Sequence, residues 1–255
     1  MKTPEQLARE IFGARAAMYT TSAAHTDPQV LARVVELSTP RPEWAALDIA
    51  TGTGHTAFAL APHVRSVVGT DLTHAMLAEA MQLRTRHAIG NVRFLVADAH
   101  HLPFADGTFN LITCRRAAHH FSDISGAVRE MHRVSQAHAR LVIDDRSVPE
   151  DDAIDAYMNA LDRLHDASHV REYRPSKWRH MLEQSGFVVQ TVEPYVKHRP
   201  LSALTAGVAA DDVQRIHAVL AGLDSAQRTI FNLIEINGKP HLNHWYVLIQ
   251  AYRRD

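Results

Sequence analysis

Leu47-Asp48-Ile49-Ala50-Thr51-Gly52-Thr53-Gly54-His55 decides how this chain folds. Its apolar start reads as a short covered strand, and the two glycines mark a sharp turn into a following helix. Gly52 and Gly54 also let a ligand approach the main chain, where a Cβ would obstruct it. Around this run, from residue 44 to residue 143, brief apolar runs alternate with longer amphipathic segments. That alternation predicts βαβ units and a parallel sheet. Strands are expected at 45–50, 66–70, 92–96, 109–114 and 139–144. Two more, at 187–196 and 245–252, complete a seven-stranded α/β sheet, mostly parallel with the last strand antiparallel and helices on both faces.

Helix signals fill the remainder. Thr3-Pro4 and Asp27-Pro28 each open a helix ahead of the sheet, the first carrying Leu7, Ile11, Ala14 and Met18. Thr73 caps one core helix and Ser122 or Asp123 another, while Asp106-Gly107 supplies a tight turn. A helix over 149–169 reads as an insertion above the sheet, Ser176 opens another that Gly186 ends, and 201–234 reads as helical. The expected organisation is a single domain over 1–255: a helical cap at 1–40, a ligand-binding core at 44–150, and a lid insertion with the remaining half of the sheet at 151–255.

Composition narrows the partners. The 27 Lys and Arg nearly cancel the 28 Asp and Glu, so no strong field exists to hold nucleic acid. Cys114 is the only cysteine, which rules out an intramolecular disulfide and points to the cytoplasm. No apolar run approaches the roughly 20 residues needed to span a bilayer. A homodimer is compatible with this composition.

Asp71 follows the second strand, seventeen residues after Gly54, where a carboxylate can accept both hydroxyl protons of a ribose. With Ala57 in the third position, the glycine run also satisfies a dinucleotide pattern, so a nicotinamide or flavin cofactor stays open. Asp98, after the third strand, is placed to reach an adenine amino group. The Leu102–Leu111 run that follows is less expected of a dehydrogenase.

Asp48 to Gly54, Asp71, Asp98-Ala99 and the Leu102–Leu111 run together resemble the UbiE-like, type 11 group of class I methyltransferases. The Cys114–Asp123 and Asp166–Glu172 runs resemble its YcgJ-like branch, and the likeness extends over roughly residues 15 to 190. The resemblance implies a Rossmann-like fold and S-adenosylmethionine as cofactor, laid across the carboxyl ends of the strands. It puts the methionine portion near Ala50 and Gly52, the ribose on Asp71 and the adenine between Leu72 and Ala99. Thr51, Gly54, His55 and Thr56 flank that site. The same resemblance puts Met76 beside the adenosine, has the Arg115 backbone carbonyl accept from the methionine amino group, and closes Tyr19 and His25 over the cofactor. Its expected product is S-adenosylhomocysteine.

A sulfonium methyl is already activated, so alignment, worth roughly 7–11 kcal/mol in model systems, can dominate catalysis. A protic acceptor still benefits from a base, and His119 or His120, just after the fourth strand, is the candidate. Substrate candidates are His165 and His169, four apart and expected to share a helix face, with Arg171 and Asp145. The histidine spacing suits metal ligands, but no third ligand is evident and no metal is expected. The expected acceptor is a small molecule. Two alternatives are an NAD(P)-dependent oxidoreductase, which rests on the glycine pattern alone, and a cofactor-binding protein without turnover.

Overall fold

The computed structural model describes residues 2–254, and within them the glycine run is the junction of the first strand and a core helix. In chain order the elements are α1 (Pro4–Tyr19), α2 (Ala23–Thr26), α3 (Pro28–Ser38), β1 (Ala45–Ile49), α4 (His55–Leu60), β2 (Ser66–Asp71), α5 (His74–Arg86), β3 (Val92–Val96), β4 (Phe109–Arg115), α6 (Ile124–Val134), β5 (Ser135–Ser147), α7 (Asp152–His165), α8 (Pro175–Gln184), β6 (Phe187–Pro200), α9 (Ser202–Thr205), α10 (Ala210–Ala221), α11 (Ser225–Ile230), β7 (Ile234–Ile236) and β8 (Lys239–Arg253).

The sheet runs β3-β2-β1-β4-β5-β8-β6, with β7 pairing on β8. Strands β1 to β5 pair in parallel, and β8 lies antiparallel to both β5 and β6. The strand order reverses between β1 and β4, and in an open α/β sheet the crevice beyond the strand ends at such a point takes the ligand. Among the described residues there are eight strands rather than seven. The added β7 closes a tight hairpin through Asn237 and Gly238, both at positive φ.

Local chemistry explains the helix starts. Thr3 and Gln6 form a reciprocal capping box on α1, and the Asp27 carboxylate accepts from Gln29 N–H and Val30 N–H at the start of α3. Asp123, not Ser122, caps α6, accepting from Gly126 N–H at 2.8 Å. Thr73 occupies the cap position of α5 without a side-chain hydrogen bond to the helix.

Strand alternation divides the core. Leu47 and Ile49 point to one face, where Ile112, Leu141, Ile143, Met131 and Trp178 join them. Ala46 points to the other, against Leu60, Val67, Val92 and Leu111. A separate apolar cluster, Ile154, Met158, Leu161, Leu204, Ile216, Leu220, Phe231 and Leu242, holds α7 to α9, α10 and α11 above the end of the β6/β8 ribbon. Helix α7 is therefore shorter than the 149–169 expected. The stretch 201–234 is three short helices, not one continuous helical region. On α1, Ala16 is buried while Met18 is exposed.

Candidate active site

Beyond the carboxyl ends of β1, β2 and β4 lies a cavity of about 920 Å³, lined by residues that include Asp48, Ala50, Thr51, Gly52, Asp71, Leu72, Met76, Asp98, Ala99 and Arg115. Its floor is the glycine turn. Gly52 sits at φ +55°, and a Cβ there would meet nothing within 4 Å, so the backbone faces open space. Gly54 is different: at φ +89° its Cβ would come within 2.9 Å of the Phe58 ring. Gly52 therefore keeps the cavity open, whereas Gly54 permits close helix packing. Gly54 is absent from the cavity wall, which does include His55 and Thr56.

Asp71 is held from below. Gly52 N–H donates to one carboxylate oxygen at 2.9 Å and Thr73 N–H to the other at 2.8 Å, leaving lone pairs for further donors. Burial raises its pKa despite these bonds. Asp48 accepts from the hydroxyls of Thr51 and Thr113 at 2.5 and 2.7 Å, and burial pushes its carboxyl up to about 6. Asp98 accepts from both the backbone and the ring Nδ1–H of His100, at 2.9 and 2.6 Å. Burial opposes its ionisation, but the His100 contacts prevail and hold its carboxyl below the usual range.

Arg115 contributes its side chain as well as its strand-end backbone. Its guanidinium donates to Thr56 Oγ1 at 2.8 Å and to the His25 carbonyl at 2.6 Å, while Nη1 is buried in the wall without a partner. The N-terminal helices roof this space. His55 Nε2–H donates to the Tyr19 carbonyl at 3.1 Å, and the Tyr19 and His25 rings lie 4.5 Å apart.

A second cavity of about 680 Å³ adjoins the first and shares Phe12, Tyr19, His25, Arg116 and His120 with it. Its remaining wall brings His119, His165 and His169 together with Arg146, Asp162, Glu172, Arg199 and Tyr246. His119 is anchored to Asp145, a buried residue at the end of β5. Its ring meets Asp145 Oδ1 at 2.6 Å through Nδ1, and its backbone N–H donates to Oδ2 at 2.8 Å. Burial works against ionisation of Asp145, but the contact with His119 and the hydrogen bond from Arg146 N–H hold its carboxyl below the usual range. A carboxylate only accepts, so Nδ1 carries the proton and Nε2 is left as the basic nitrogen.

His120 differs from its neighbour. It donates from Nδ1 to the Ser168 carbonyl at 3.1 Å, and burial, reinforced by His119, pushes its pKa down to about 4. His165 and His169 do not share a helix face. Helix α7 ends at His165, Asp166 is its C-cap, and His169 lies in the loop beyond, its ring 3.1 Å from Asn159 Oδ1. Arg171 is outside both cavities, engaged by Asp155 at 2.9 Å to each carboxylate oxygen. Asp145 lies behind His119 rather than in the cavity wall.

Sequence reading passed over Arg116, Arg146, Glu172, Arg199 and Tyr246. Arg199 sits on β6 beyond the expected strand end at 196, and Tyr246 lies at the middle of β8, a strand read only for its apolar run. The signal that could have found Arg199 is polar alternation continuing through Lys197 and Arg199.

Comparison with known proteins agrees with this architecture. The family described as "Methyltransferase domain" matches residues 47–143. The methyltransferase YcgJ of Bacillus subtilis, itself uncharacterised, is 35% identical over 90% of this chain and 92% of its own length. Its crystal structure matches with a TM-score of 0.83, covering 88% of this chain and 98% of that one. A demethylmenaquinone methyltransferase of Thermus thermophilus is 38% identical, over 44% of this chain and 51% of its own length. Among the described residues no helix is long and apolar enough to cross a membrane. The chain belongs to the UbiE-like, type 11 group of class I methyltransferases, in the YcgJ-like branch.

Proposed function

We propose that the protein transfers the methyl group of S-adenosylmethionine to a small polar acceptor and releases S-adenosylhomocysteine. The observation that carries this reading is the pair of adjoining cavities. One has an open backbone floor beside a buried carboxylate, and the other has an oriented histidine. Family membership favours a sulfonium cofactor over the dinucleotide that the glycine pattern alone would allow.

The residues of the first cavity fit the cofactor. Asp71 would receive the ribose hydroxyls, Gly52 and Ala50 would lie along the methionine portion, and Leu72, Met76 and Ala99 would enclose the adenosine. Asp98 is the acid nearest the purine in this assignment, and the partnerless Arg115 Nη1 supplies a donor in the same wall. When bound, the cofactor supplies an activated methyl.

The chain's own work is to position the acceptor, exclude water and take up a proton. His119, with Nδ1–H fixed on Asp145, would accept the proton of the acceptor's nucleophile at Nε2. His120 is too weakly basic at about 4 to share that role and instead packs against Phe12, with ring centroids 4.9 Å apart. Calorimetry tests the cofactor assignment. Both S-adenosylmethionine and S-adenosylhomocysteine should bind, and Asp71→Ala should abolish binding without unfolding the protein. Wild-type protein that binds neither ends this reading.

A further inference from the structure

Of the arginines in the wall of the second cavity, one stands without an ion pair among the described residues. Arg116 is paired with Asp144 at 2.9 Å. Arg146 lies between Asp162 at 2.6 Å and Glu172 at 2.5 Å. Lys197 is paired with Asp27. Arg199 donates to the Tyr246 hydroxyl at 3.3 Å and forms no ion pair with any described residue.

Strand geometry explains where Arg199 faces. Tyr195, Lys197 and Arg199 alternate onto one side of β6, and Tyr195 and Lys197 sit opposite Tyr246 and His244 of β8. That side meets Arg116 and Asp144 through the Tyr195 hydroxyl, so Arg199 is carried to the cavity wall on a paired strand. A partly buried guanidinium without a counter-charge is expensive, and a planar carboxylate matches its fork of donors.

Building on the methyltransferase reading, we infer that this cavity selects a methyl acceptor carrying a single carboxylate, anchored by Arg199 and the Tyr246 hydroxyl. Asp166, the acid of this wall without an ion pair among the described residues, is held by Ser168 N–H and Oγ, so Arg199 is the cation left to meet one negative charge. A phosphate monoester would bring a second charge beside Asp162 and Asp166, which also line the wall. Glu172 adds little repulsion because burial raises its carboxyl pKa well above the usual range. Rings of Phe12, Tyr19 and Tyr246 offer apolar surface for the body of such a molecule.

Benzoate, benzamide and phenyl phosphate, titrated by ligand-observed NMR, separate the possibilities. The protein is used both with S-adenosylhomocysteine and without it, as wild type, Arg199→Gln and Arg199→Lys. Benzoate should bind about tenfold or more tightly than either analogue, the value of one charge-assisted contact. Arg199→Gln should erase that preference and Arg199→Lys should keep part of it. Calorimetric binding of S-adenosylhomocysteine should stay the same in Arg199→Gln, because Arg199 is outside the first cavity. Equal binding of benzoate and benzamide, a preference that survives Arg199→Gln, tighter phenyl phosphate binding, or no benzoate binding each overturns the proposal. Loss of S-adenosylhomocysteine binding in the wild type would instead strike the cofactor reading, and the titrations without it still decide the carboxylate anchor.

Discussion

His119 and Asp145 are joined twice, ring to one carboxylate oxygen and backbone N–H to the other, at 2.6 and 2.8 Å. The two contacts fix both the ring plane and the tautomer. Asp145 Oδ1 also accepts from Arg146 N–H at 2.8 Å, so the carboxylate itself is anchored. Asp145→Ala removes the acceptor that holds the proton on Nδ1, and the ring is then free to carry it on Nε2, which removes the base. Nitrogen-15 NMR should show neutral His119 protonated at Nδ1 in the wild type and a mixture of both tautomers in the variant. Turnover with a protic acceptor should fall by an amount approaching the roughly 10²–10⁴-fold that a positioned base contributes. Wild-type His119 protonated at Nε2 rules the base assignment out.

The two glycines of the turn should separate binding from folding. Gly52→Ala places a methyl group into open space, so its main effect should be to weaken S-adenosylhomocysteine binding by about tenfold or more. The left-handed backbone adds a stability cost of roughly 1 kcal/mol. Gly54→Ala carries the same backbone cost and a clash with Phe58, so it should be the less stable of the two in urea. Calorimetry together with denaturation midpoints checks both, and a more stable Gly54→Ala would contradict the packing role.

This pair also shows what the sequence made legible. Strand, turn and helix around Asp48–Gly54 are specified by neighbouring residues, so the cofactor floor and the parallel order of the core could be read directly. The second cavity could not. His119 and Asp145 are 26 residues apart and meet only because β4 and β5 pair in parallel, with Arg115 opposite Asp144. Arg199 and Tyr246 are brought to the same wall by antiparallel β6 and β8, and no local motif marks either. The shared face expected for His165 and His169 failed for a local reason: the helix stops at Asp166, whose side chain turns to Ser168 N–H and Oγ. Strand β7 is three residues long, too short for a period-2 pattern to register.

Stability should fall in mild acid because of buried neutral histidines. Burial pushes His25 and His169 down to about 3 and His120 down to about 4. Each is depressed below its unfolded value near 6.5, so the unfolded chain binds protons that the folded chain does not. Stability from these groups is complete above about pH 6.5 and is lost as pH falls towards 4 and 3. Urea midpoints measured across that window should drop steadily, and His120→Gln should flatten the slope. A flat wild-type profile would show that these rings are not neutral in the fold.

Arg146 has a structural role distinct from that proposed for Arg199. It links Asp162 of α7 and Glu172 of the following loop to β5, and its Nη1 donates to His244 Nδ1 of β8 at 3.1 Å. All of these groups are largely removed from solvent. Truncation in Arg146→Ala would leave Asp162 charged without its partner, a loss of about 3–5 kcal/mol for a broken buried pair. Restoring neutrality should recover part of that loss, so Arg146→Met with Asp162→Asn should be more stable than Arg146→Ala alone. If the double variant is no more stable than the single one, packing of the arginine stem rather than its charge holds α7 to the sheet.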